Sequence, residues 1–130
     1  MTDQEERLRD VLLACRVRHR VHEVFQLGKR FAIVDFFLFE QDSVIECWMS
    51  ESRNGAAMGW MERNAVYIDL KFKRLKEHNP GMRCLAFAQA PQVDLSELVE
   101  VTEAALLHAD YVAYTIDDFR NEVCQLGGAS

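Results

Sequence analysis

Residues 31–49 read FAIVDFFLFEQDSVIECWM. The apolar runs on either side of Glu40-Gln41-Asp42-Ser43 are too hydrophobic for solvent-facing strands and too short for buried helices, so the stretch predicts two core strands joined as a hairpin. The first should be a central strand covered on both faces, and pairing Phe39 with Val44 across the turn sets the simplest register. Upstream, Leu27-Gly28-Lys29-Arg30 reads as a turn, and Val17 to Phe25 alternates polar and apolar residues as an edge strand does. Before that, Leu8, Val11, Leu12 and Cys15 share one face of a helix over 3–15, with Thr2 or Asp3 as its cap.

Downstream, Met58, Met61, Ala65, Ile68, Phe72 and Leu75 step by threes and fours along a long helix from Asn54 to about His78. Ser50, Ser52 or Asn54 can cap its start, Glu62, Asp69, Lys73 and Lys76 should face away, and Asn79-Pro80-Gly81 stops it. Cys84 to Ala88 reads as a further core strand. A helix from Asp94, with Glu97 as capping-box partner, presents Leu95, Leu98, Thr102, Ala105 and Leu106 inward. Tyr111 to Ile116 reads as a last strand before a short helix from Asp117 or Asp118. The order predicts an α/β three-layer sandwich: a mixed sheet of four to five strands, antiparallel at its start and parallel after the long helix, with helices on both faces.

At 130 residues, 49% apolar and 28% charged, the chain suits a single domain with a real core, and it excludes disordered, collagen-like and coiled-coil classes. No apolar run approaches the roughly 20 residues of a bilayer span. The acidic start MTDQEERLRD is unlike a signal peptide, so a cytoplasmic protein without membrane contact is expected. The four cysteines, Cys15, Cys47, Cys84 and Cys124, lack metal-binding spacing and read as reduced thiols. His19 and His22 are too isolated to make more than a weak zinc candidate.

The net charge of −6 argues against nucleic acid, but it is unevenly spread. Residues 16–30 hold five basic groups against one acidic, whereas residues 94–122 hold one against eight. A basic face opposite an acidic back is one consequence; an ordinary solvated surface is the other. There is no GxGxxG, P-loop or GxSxG motif.

Asp35 and Glu46 stand out as lone charges inside otherwise apolar strands, where an unpaired carboxylate is costly. A bulge, or a two-residue slip of the hairpin register, brings them side by side. Paired carboxylates so placed suit Mg²⁺, whose chemistry is phosphodiester hydrolysis; the bland alternative is an ion pair with a nearby Arg or a solvent-facing edge. Trp48 reads as a core aromatic rather than a base-stacking platform, and Trp60 as a candidate contact for a second copy or nucleic acid.

With Asp35 on the first strand and Glu46 in VIEC on the second, followed by a basic amphipathic helix, residues 3–88 resemble the PD-(D/E)XK nuclease superfamily. Within it the stretch is most similar to small Holliday-junction-resolvase and very-short-patch-repair-like domains. The resemblance implies a restriction-endonuclease-like fold and a Mg²⁺- or Mn²⁺-dependent DNA endonuclease acting as a homodimer. It gives Asp35 and Glu46 metal-binding and catalytic roles, and Glu5 or Glu6 on the first helix a place as third ligand, Glu6 being taken. The family's Lys is replaced by Trp48, so the resemblance calls for a basic residue from elsewhere, with Arg53 and Arg63 as candidates. It also leaves open a catalytically silent nuclease-fold protein that binds nucleic acid or protein.

Overall fold

The structure, a computed structural model, describes residues 1–49, 56–90 and 93–127; for Met49 and residues 56–61 only the backbone is described. The elements are α1 (Asp3–Ala14), β1 (Arg20–Leu27), β2 (Arg30–Leu38), β3 (Ser43–Met49), α2 (Ala56–His78), β4 (Arg83–Gln89), α3 (Leu95–Ala105), β5 (Tyr111–Ala113) and α4 (Ile116–Leu126). They form an α/β fold around one five-stranded sheet in the order β1-β2-β3-β4-β5. The hairpins β1–β2 and β2–β3 are antiparallel, while β3–β4 and β4–β5 are parallel, because α2 and α3 are the crossovers.

Each face of the sheet has its own core. Ala65, Phe72 and Leu75 of α2 and Leu98 of α3 pack with Val34, Val44, Trp48 and Ala86 on one side. On the other, Leu8, Val11 and Leu12 of α1 and Phe119 and Val123 of α4 pack with Phe36, Ile45 and Phe87. Trp48 is 1% exposed, which is the core role expected of it.

Several local expectations are corrected. The edge strand starts at Arg20 rather than Val17, and β5 stops at Ala113 because Thr115 turns the chain and caps α4 from its side chain. Asp94 precedes α3 without a side-chain cap bond, and Leu95 is exposed. Asp69 and Lys76 do not face solvent freely: Asp69 accepts from the backbone and ring nitrogens of His108, and Lys76 pairs with Asp110. Of the cysteines, Cys84 and Cys47 are free, but Cys15 and Cys124 form a disulfide that ties the end of α1 to α4. The caps proposed at Ser50, Ser52 and Asn54, and the side chains of Met58, Trp60 and Met61, lie outside what is described.

The hairpin register decides where the two strand acids meet. Val44 pairs with Phe37, not Phe39, so the ladder runs Phe36↔Ile45, Phe37↔Val44, Leu38↔Ser43. This is the two-residue slip, and its next step puts Asp35 opposite Glu46.

Candidate active site

Side chains two apart on a strand should share a face, yet on β2 Ala32 and Val34 join the α2 side while Phe36 and Leu38 join the α1 side. The phase changes at Asp35. Across the β1–β2 ladder, Val21 pairs with Phe36 and Glu23 with Val34, and the intervening pair His22 and Asp35 is skipped. His22 has φ +49°, a left-handed conformation uncommon for a residue other than Gly, and this turns β1 in step with β2. The first strand is therefore not covered on both faces: beyond Asp35, Phe31 and Ile33 are exposed.

Side chains replace the ladder where it parts. The Cys47 backbone N–H donates to Asp35 Oδ2 at 2.7 Å. Lys71 Nζ, reaching down from α2, donates to the Ile33 carbonyl at 2.7 Å and to Glu46 Oε1 at 2.5 Å. From the other face, Glu5 on α1 meets His22, with Oε2 2.8 Å from Nε2. Ligand atoms of Glu5, His22 and Asp35 all lie within 4.8 Å of one another. Asp35 thus links two half-sites, Glu5 and His22 on the α1 side and Glu46 and Lys71 on the α2 side.

The electrostatics are those of too many carboxylates in too little water. Burial of Glu46 pushes its carboxyl up to about 8, and the charge of Asp35, with a hydrogen bond that keeps the proton on Glu46, pushes the same way. The Lys71 ammonium pulls against them and does not win. The adjacent Cys47 thiol is raised by burial and by Asp35, so it is not a nucleophile.

Asp35 and Glu46 are brought together as expected. Glu6 is not part of the cluster: it is exposed, and Glu5, 9% exposed, occupies the inward position. The signal is present in the sequence, because Glu5 steps by three and four with the buried Leu8 and Leu12, whereas Glu6 is out of phase. Arg63 is exposed and lies eight residues, about 12 Å, up the helix from Lys71. Arg53 lies outside the described residues. Lys71 is the cation that motif spacing does not find; it sits three residues from Ile68 and four from Leu75, on the rim of the buried stripe. His22 stands out in the sequence only as half of a weak zinc pair with His19, whose ring instead packs edge-on against Phe36.

No family model matches the chain, and no curated protein or solved structure shows significant similarity to it.

Glu5, His22 and Asp35 offer carboxylate oxygens from α1 and β2 and an imidazole from β1, a set that could hold a metal ion. Glu46, beside Asp35 on β3, is a buried acid whose carboxyl burial pushes up. Among the described residues no helix is long and apolar enough to cross a membrane.

Proposed function

We propose that the protein is a restriction-endonuclease-like, Mg²⁺- or Mn²⁺-dependent DNA endonuclease in which Glu5, Asp35 and Glu46 hold the cation and Lys71 takes the place of the motif lysine that Trp48 displaced. One observation carries this reading: Lys71 Nζ touches Glu46 beside Asp35, from a helix rather than from the strand. A basic group there restores the charge pattern the resemblance demands.

When bound, the cation would polarise a phosphoryl oxygen as a Lewis acid. The chain's own residues do the rest. Asp35 is fixed by the Cys47 N–H, so its second oxygen keeps a set direction without the cation. His22 orients Glu5 through their 2.8 Å contact. The Lys71 ammonium, anchored on the Ile33 carbonyl, stays in place when Glu46 turns to a ligand and can then face the negative charge growing on the phosphate.

Cutting two strands asks for two copies, and we propose a homodimer. The edge strand β1 and its neighbour β2 expose Val24, Phe31 and Ile33 on one side, an apolar patch that a second copy would cover. Sedimentation across a concentration series tests it, and a monomer at every concentration rejects it. A second reading, a silent nuclease fold that binds without cutting, draws on the fact that each acid already has a protein partner: Glu5 with His22, Asp35 with Cys47, Glu46 with Lys71.

The test is cleavage of labelled linear and branched DNA with Mg²⁺, with Mn²⁺ and with chelator, together with calorimetric metal titration. Metal-dependent cutting lost in Asp35→Ala and Lys71→Met supports the nuclease. Metal binding absent from the wild type sinks it.

A further inference from the structure

We propose that the junction of α1 and β1 is a binding groove for a single strand of nucleic acid, which it leads to the Asp35 centre. The proposal deepens the nuclease reading and rests on it for the chemistry, but not for the binding.

The groove is a cavity of about 600 Å³ lined by Arg16, Val17, Arg18, His19, Arg20 and Phe39 among others. Arg18 and Arg20 are two apart where the chain runs into β1, and Arg16, in the turn that closes α1, lines the same cavity. Two of them close on one ring: Arg18 Cζ lies 5.2 Å and Arg20 Cζ 4.9 Å from the centroid of Phe39. The acids nearby are Glu40, 3.7 Å from Arg18, and Glu23, 3.6 Å from Arg20. Both contacts join well-exposed arginines, and such pairs yield readily to a phosphate.

The backbone beneath is fixed before any ligand arrives. Cys15 is bonded to Cys124, Arg16 adopts φ +58°, and the N–H groups of Arg16 and Val17 donate back to Leu13 and Leu12. His22, at the Asp35 centre, lies two residues beyond Arg20 on β1, about 7 Å along the strand, so the groove adjoins the acids. A concave pocket around one aromatic ring accepts a single unstacked base between guanidinium groups. A duplex would instead ask for a convex element to enter its groove.

Fluorescence anisotropy tests this in chelator, using a labelled single strand of about fifteen nucleotides and the matched duplex. The wild type should bind the single strand more tightly. Replacing Arg16, Arg18 and Arg20 together by Ala should weaken binding at least about tenfold and flatten the salt dependence by about two, from three lost phosphate contacts. The triple Lys variant should bind within about threefold of wild type, which separates charge from folding. Phe39→Leu should weaken binding about tenfold with the salt slope unchanged. Equal binding by the triple Ala variant, a preference for duplex, or no binding by the wild type overturns the proposal. Intact binding without metal-dependent cleavage refutes the nuclease reading alone.

Discussion

Asp35 and Asp110 make the same first contact: each accepts a backbone N–H from a neighbouring strand at 2.7 Å, from Cys47 in one case and Cys84 in the other. They differ in what comes next. Asp110 meets Lys76 at 2.5 Å, and close by Asp69 is satisfied twice over by His108, so each acid there has its own partner. Asp35 meets a second acid, Glu46, and faces a third, Glu5. The sheet uses one device, a carboxylate capping a strand N–H, in two settings: Asp110 and Asp69 each have a base of their own, while Asp35 stands among three acids served by one lysine and one histidine. That imbalance, more than burial alone, marks a site.

The sharpest way to break the comparison is to remove each aspartate. Asp35→Ala should cut metal-dependent cleavage at least about a hundredfold while the fold persists. Asp110→Ala should leave cleavage within a few-fold and instead cost about 1–3 kcal/mol in denaturant unfolding, because the buried Cys84 N–H loses its acceptor. Equal effects of both on cleavage would erase the distinction.

The disulfide sharpens the contrast next, because α1 carries Glu5 to one network and contributes nothing to the other. Cys15→Ser with Cys124→Ser opens a loop spanning 109 residues and should cost up to about 5 kcal/mol in unfolding free energy. Metal affinity at the Glu5 side should fall with it, whereas hydrogen exchange at the Cys84 amide should track only the global loss.

How much of this was legible can be judged residue by residue. Asp35 and Glu46 were visible because a charge within an apolar strand breaks the expected period, and the antiparallel-then-parallel sheet came from where the helices fall. The register was not fixed by the turn, since Glu40 to Ser43 tolerates more than one pairing. Lys71 was hidden, and Glu5 was passed over for Glu6, for a different reason. Motif spacing is counted along a strand, but these two arrive from helices on opposite faces, where phase against the apolar stripe decides which residue reaches inward. The flip of β2 at Asp35 depends on the positive φ of His22, and nothing in the residue's identity announces it.

A pH series isolates the electrostatic half of the comparison. Glu46 titrates near 8 in the folded chain against an ordinary value of 4.5, so between those values the native state holds a proton that the unfolded chain has released. Its stabilising contribution is complete below about pH 4.5, falls as pH rises, and is gone above about 8. Glu46→Gln keeps the shape and removes the titration. The wild type should therefore lose stability relative to this variant across that window, by on the order of 5 kcal/mol in total. Unfolding curves at pH 5, 7 and 9 check the sign. Saturating Mg²⁺ should reverse it for the wild type alone, because a bound cation favours the ionised carboxylate that Gln cannot supply. If the pH difference appears but Mg²⁺ leaves it untouched, the crowding of acids is real and the cation is not what relieves it.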